Sequence, residues 1–407
     1  MPPPPTPTIT PTPGPGQQRI PLAAAIDRVA NRVPALRGLA TKRAIEPKVM
    51  TRTELHARLE QDFQDPEIVE AIRKEEALFK VLRLMPLNED LQKTYVAVYS
   101  EQVEGFFDTE TEELYVIAEG GMLSITDEIS LAHEYLHALQ QQHFNLHATE
   151  NALEDLRDEA MGYISVVEGD AVIVQTLYAL GTFSQQDLAA ATSDIVNTPA
   201  YDAAPNVVKA GIIFPYTTGA EFVAALYQRD GRTFKGVHAT LGKPPRSTAE
   251  IMHPQRYTSG IAPVTVNLPN LAGALGAGWD LVDQQPLGEL LIKLWIEEEL
   301  GGTRGAQAGA GWAGDTYGLY RHTDGRLAFA LRTTWDNEGE AQQFYESYEL
   351  ALQNSTTWRR VSSDATRQTW RSNDQSAFAS RKGAEVLVLL APDQALVDKL
   401  RSSFSEF

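Results

Sequence analysis

Apolar positions recur at helical spacing through most of the first 260 residues of this chain and alternate in the manner of strands only briefly. The stretch PLAAAIDRVANRVPALRGL (21–39) reads as a short amphipathic helix broken at Pro34. Thr51 and Glu54 have the spacing of a capping box and open a second helix, and Asp65-Pro66 opens a longer one reaching about Leu84. Pairs such as Glu70 with Lys74 lace the exposed face of that helix. Residues 103–121 predict a β-hairpin, with Phe106-Phe107 and Tyr115-Val116-Ile117 as strands and Asp108–Glu112 as the turn. A helix from near Asp127 to about His143 follows, then another from Ala152 to Leu180. Ser247 and Glu250 form a further capping box, whose helix must stop before Pro254.

Between Ser259 and Pro286 the composition shifts to Gly, Pro and small residues, and the domain boundary is placed there. Beyond it the pattern is that of a smaller α+β unit. A helix in PLGELLIKLWIEEELG (286–301) leads into a Gly-rich link, GGTRGAQAGAG. Strands around Tyr317–Tyr320 and Leu327–Arg332 flank an Asp324-Gly325 turn. Helices near Gly339–Leu352 and Pro392–Phe404 complete it. The expected organisation is a linker over 1–17, a mainly helical domain with a small β element over 18–260, and a C-terminal α+β domain over 261–407. The fold class is α+β.

The 407 residues carry a formal charge of −19, which repels phosphate backbones and anionic headgroups and so disfavours nucleic acid and membrane-surface partners. No run approaches the ~18 apolar residues of a membrane span. The opening MPPPPTPTITPTPGPG cannot bury a core and reads as an extended spacer. One expectation is that it follows an export signal or lipid anchor, which places the domain outside the cell; the other is a cytoplasmic tail. With no cysteine, any metal must be held by Asp, Glu or the eight histidines.

One motif carries chemistry. In His133-Glu134-Tyr135-Leu136-His137 the two histidines are four apart and share a helix face, where both imidazoles can reach one zinc ion. Glu134 stands beside the first, placed to take a proton from the water that such an ion activates. Zinc then needs a third protein ligand. His143 occupies the third-histidine position of the metzincin pattern, and Met161-Gly-Tyr163 faintly resembles that group's Met-turn. However, the glycine that turns the chain back in that pattern is Gln140 here, and a continuing helix carries His143 ~15 Å along the axis. The stronger candidate is Glu168, within ISVVEGDAVIV, because a carboxylate on an apolar helix face needs a partner or a metal. Gly169, Ala171 and Ala160 would let its helix approach the histidine helix closely. Asp170 is placed to orient a ligand imidazole. Glu154 and Glu159 are fallback ligands.

HEYLHALQQQHFNL followed by VEGDA resembles the gluzincins, thermolysin-like zinc peptidases with two His on one helix and a Glu on the next. It looks closest to a bacterial and archaeal group sharing HE-x-x-HALQ-x-QHF and EGDA, together with HP-x-x-Y (His253 to Tyr257) and GW-x-GD-x-Y (Gly311 to Tyr317). The resemblance spans about 103–344 and implies a zincin-like domain with His133, His137 and Glu168 as zinc ligands and Glu134 as general base. The interval of 31 residues from His137 to Glu168 is longer than in the type members. FPYTTGAEFVAALY is similar to the segment that supplies an oxyanion-stabilising tyrosine in aminopeptidase-type relatives, which makes Tyr216 a candidate, read as sitting at a helix start after Pro215. His253 is a further catalytic candidate, Tyr257 another, and Trp312 and Tyr317 line the cleft or pack the second domain. The expected activity is peptide-bond hydrolysis with Zn2+ as cofactor and a peptide or protein as substrate. The alternatives are a scaffold that keeps the metal without turnover, and a surface protein whose C-terminal domain does the binding.

Overall fold

The computed structural model describes residues 19–102, 105–191 and 198–407. The Pro/Thr tract over 1–17 lies outside them, as do residues 103 and 104 at the start of the predicted hairpin. The protein is α+β, with helices dominating up to about residue 275 and one large antiparallel sheet after it. A two-residue strand, β1 (Ile20–Pro21), leads into helix α1 (Leu22–Arg37). The break expected at Pro34 does not occur. A proline in the last turn forfeits one backbone bond, and Gly38 (φ 73°) closes the helix by donating to the Pro34 carbonyl oxygen at 2.9 Å.

Strand β2 (Lys48–Met50) and helices α2 (Arg52–Asp62), α3 (Pro66–Val81) and α4 (Leu91–Gln102) follow. Thr51 and Glu54 form the anticipated capping box, and Asp65 caps α3. Strands β3 (Gly105–Asp108) and β4 (Glu113–Ile117) make the hairpin, and β2 joins β4 in parallel. The order β2-β4-β3 leaves β3 at the edge. A short β5 (Met122–Leu123) pairs with β1 and delivers the chain to the histidine helix, α5 (Ile125–Phe144), which starts at a Ser124–Asp127 capping box.

After the short α6 (Leu146–Ala152), the long α7 (Arg157–Thr182) packs across α5. Ala171 of α7 is buried in the same cluster as Leu136 and Leu139 of α5. Among the described residues α7 alone is long and apolar enough to cross a membrane, by length and composition; 56% of its most apolar window is buried within the fold. There is thus no clear membrane-spanning segment among them. Helices α8 (Gln185–Ala191) and α9 (Pro199–Ala203) lead to α10 (Asn206–Arg229). Tyr216 therefore lies inside a helix and not at its start. The buried face of Val207, Val208, Ile212, Phe214, Phe222 and Val223 holds α10 together through Pro215, so tertiary packing outweighs the lost bond.

Gly169 serves a different neighbour from the one expected. It crosses α10 at Gly219, where a β-carbon would overlap the Gly219 carbonyl, and one on Gly219 would overlap the Ser165 carbonyl. The paired glycines let α7 and α10 touch backbone to backbone.

Helices α11 (Lys235–Gly242), α12 (Thr248–Met252), α13 (Pro254–Thr258) and α14 (Ala272–Leu275) end the helical part. Then come β6 (Trp279–Gln285), α15 (Gly288–Leu300) and α16 (Gly302–Gly309). The Gly-rich link thus contains a helix, because its small residues fit against α15: a β-carbon on Gly305 would meet Glu297 and the Lys293 carbonyl. Strands β7 (Trp312–His322) and β8 (Leu327–Trp335) precede α17 (Glu338–Asn354). Strands β9 (Arg359–Ser363), β10 (Arg367–Arg371), β11 (Ser376–Lys382) and β12 (Glu385–Ala391) and helix α18 (Gln394–Arg401) finish the chain. The sheet runs β6-β7-β8-β12-β11-β10-β9. In β12, Val386, Val388 and Leu390 pack with α15 and α17, while Leu387 and Leu389 pack with α14 and α18. A strand buried on both faces reads as an unbroken apolar run for that reason.

The change of architecture near residue 275 is not a break in the core. One cluster runs from Leu55 and Phe63 through Ile212 to Leu291, Trp295 and Phe344. A buried polar seam accompanies it. Asp158 accepts from Thr248 N at 3.2 Å and Oγ1 at 2.5 Å, and lies so close to Gly288 (φ 84°) that no β-carbon fits there. Asp315 accepts from Leu287 N (2.6 Å), Gly288 N (3.1 Å) and Trp312 Nε1 (2.7 Å).

Two outcomes follow from this packing. Gly169→Ala should destabilise the protein by about 1–3 kcal/mol, read as a lowered denaturant midpoint, because neither backbone at the crossing can withdraw. Burial pushes the Asp158 carboxyl up to about 8, against the hydrogen bonds from Thr248. Its native state therefore keeps a proton that the unfolded chain loses near pH 4, and its contribution to stability falls as pH rises from about 4 towards 8. Denaturation at pH 5 and pH 8 should show a smaller difference for Asp158→Asn than for the parent.

Candidate metal centre

Helical spacing places His133 and His137 one turn apart on α5, with ring centroids 4.7 Å apart. The crossing of α7 brings Glu168 to both. Its Oε2 lies 3.0 Å from His133 Nε2 and 3.5 Å from His137 Nε2. One ligand atom from each of the three residues lies within 4.8 Å of the others, and all three side chains are buried. This group can hold a metal ion.

The chemistry of the donors fits that use. His133 Nδ1 lies 2.8 Å from Gln175 Oε1 and His137 Nδ1 2.8 Å from Gln140 Oε1. The amide of Gln140 is oriented by its own donors, since its Nε2 gives to Val167 O (3.1 Å) and Asp170 Oδ2 (3.0 Å). Its oxygen is left to accept, which fixes a His137 proton on Nδ1 and turns Nε2 to Glu168; that nitrogen is protonated beside the carboxylate without a metal and gives its lone pair to an ion that displaces the proton. Asp170 is held in turn by Arg37 Nε at 2.7 and 2.8 Å, a pair buried on both sides, and the Arg37 guanidinium lies over the Phe234 ring at 4.5 Å. Asp170 thus reaches the ligand imidazole through Gln140 and not directly, as the sequence had suggested.

Burial alone would raise the Glu168 carboxyl, yet the two imidazoles hold it well below the usual carboxylate range. Burial likewise opposes charge on His137, and the Glu168 carboxylate overcomes it, raising the imidazole to about 9. Glu134 is 3% exposed and points its Oε2 at the backbone N–H of Phe107 in β3, 2.9 Å away. Tyr216 comes from α10, with its ring stacked 6.0 Å from that of His133.

Other candidates lie elsewhere. His143 lies in the last turn of an unbroken α5, bonds the Ala40 carbonyl at 2.7 Å and is not in the ligand cluster. His253 Nε2 lies 2.8 Å from Glu289 Oε1, a contact that belongs to the polar seam. Tyr257 donates to the Lys243 carbonyl at 2.7 Å. Trp312 serves Asp315, and Tyr317 joins Arg157 and Asp283. Glu154 and Glu159 are not in the cluster with the two histidines. Sequence inspection missed Gln140, Gln175, Arg37 and the Phe107 N–H. Only Gln140 left a trace, as the residue standing where the metzincin pattern has its glycine.

Residues 278–401 match the family described as Domain of unknown function (DUF8575), a stretch from β6 through α18 that excludes the metal centre. No curated protein and no solved structure matches the chain.

Removing the Gln140 amide should cost metal affinity without removing a ligand. Gln140→Leu is expected to weaken binding ~10–100-fold in competition with a chromophoric chelator.

Proposed function

We propose that this chain is a zinc-dependent peptidase whose metal is held by His133, His137 and Glu168. The observation that carries the proposal is the convergence of those three buried side chains beside a fourth, Glu134, which has its own anchor. Two imidazole nitrogens and one carboxylate oxygen are a zinc set that leaves a position for water or substrate. The bound ion supplies Lewis-acid activation of water and of the scissile carbonyl.

Everything else falls to the chain's own residues. Glu134 accepts the proton of the attacking water and returns it to the leaving amine. The Phe107 N–H on Oε2 holds that carboxylate in place. The Tyr216 phenol donates to the carbonyl oxygen as negative charge develops there, without changing its own charge near pH 7. Because β3 is a sheet edge that passes beside Glu134, an extended peptide is the favoured substrate; it can lie along the edge and pair with backbone groups other than the Phe107 N–H, which Glu134 takes.

Metal analysis and turnover together test this. The parent should carry one zinc per chain, Glu168→Ala none. Glu134→Gln should keep zinc while cleavage of a peptide library falls ~10²–10⁴-fold. An unchanged rate in Glu134→Gln would refute the general-base role, and bound zinc with no cleavage by the parent would leave a silent metal scaffold.

A further inference from the structure

Beside the metal centre lies a mainly apolar cavity of about 270 Å³. Phe63, Ile72 and Tyr99 wall it from the N-terminal helices, Ile212 from α10, and Leu291 and Leu294 from α15. Two further lining residues locate it. Ile164 is one helical turn before Glu168 on α7, and Pro215 is next to Tyr216 on α10.

The opposite end is polar in a particular way. Arg157 donates to Tyr317 Oη at 3.1 Å, but Glu75 and Asp283 each stand 3.9 Å from it, beyond direct hydrogen bonds. There Glu75 already accepts from Tyr95 Oη at 2.9 Å, and Asp283 from Gln285 Nε2 at 2.9 Å and from the Tyr317 hydroxyl, so a guanidinium and two carboxylates stand close together with part of their hydrogen-bonding capacity still open. A neutral amide, which accepts through its carbonyl and donates through its N–H, suits such a mixture. The lining sets two cations, Lys74 and Arg157, against the carboxylates of Glu75, Glu154, Asp155 and Asp283, so a free carboxylate meets an excess of negative charge and is disfavoured. As to size, a dry cavity of ~150 Å³ takes up benzene, so this one has room for a bulky aromatic or two aliphatic side chains.

We infer that this cavity binds an uncharged peptide segment bearing bulky apolar side chains, and that the C-terminal unit exists in part to complete it. Asp283, Leu291 and Leu294 come from β6 and α15, inside the stretch of unknown function, and without them the cavity has no floor. The peptide identity of the ligand rests on the peptidase proposal; the uncharged apolar character does not.

The test uses the full chain carrying Glu134→Gln, so that nothing is consumed. The neutral fluorophore N-phenyl-1-naphthylamine should bind saturably, one per chain. Acetyl-phenylalanyl-leucine amide should displace it at concentrations at least ~10-fold lower than the same dipeptide with a free carboxylate. Adding Leu291→Trp, which fills the cavity, should weaken both ligands at least ~10-fold with zinc content and circular dichroism unchanged. Equal competition by the amide and the free acid would overturn the proposal, as would affinities unmoved in a folded Leu291→Trp protein. Should that variant not fold, the comparison of amide with acid decides alone. Probe binding in a parent that cleaves no peptide would sink the peptidase proposal and leave the apolar site standing. Cleavage that ignores apolar side chains and Leu291→Trp would do the reverse.

Discussion

A carboxylate inside an apolar helix is costly to bury, and the whole centre turns on how Glu168 meets that cost. It faces two imidazoles on a neighbouring helix, and the three groups are mutually dependent. Without the carboxylate the histidines lose the charge that keeps His137 protonated in the absence of metal. Without the histidines a bare anion is left in the core. A divalent cation resolves the same conflict more completely, because it neutralises the carboxylate and uses both nitrogen lone pairs at once.

That arrangement tolerates little displacement, and the surrounding packing is built accordingly. Ala171 presses α7 onto α5, while Gly169 and Gly219 clamp its opposite side to α10. Held from two directions, α7 cannot slide along the histidine helix. The hydrogen-bonded line from Arg37 through Asp170 and Gln140 to His137 then sets the imidazole's tautomer as well as its place. Buried charge is affordable in this line because every member has a partner of opposite kind.

The C-terminal sheet is joined to the helical part by apolar packing and by the seam at Asp158, Gly288 and Asp315. The HP-x-x-Y and GW-x-GD-x-Y segments take their place in that seam. His253 meets Glu289, and Trp312 and two backbone amides meet Asp315. Polar residues that look like chemistry in one dimension are here the means by which two architectures share a core.

Much was visible in the order of residues. Periods of 3.6 and 2, the capping box at Thr51, the N-cap at Ser247 (whose expected box is left half-formed because Glu250 bonds Arg246), and the Asp324-Gly325 turn located most helices and the main hairpins, since those signals are local and act within a turn or two. The i,i+4 spacing put both histidines on one face, and the misplaced acidity of Glu168 marked it as a partner. Local rules failed where distant contacts outvoted them: Pro34 and Pro215 stayed inside helices, and a glycine-rich stretch became α16 against α15. The angle and contact between α5 and α7, the amide that reverses no charge but sets a tautomer, and the N–H of β3 on Glu134 were decided only in three dimensions. Each depends on which residues far apart in the chain end up within a few ångströms, and hydrogen bonds and close packing act at that range alone.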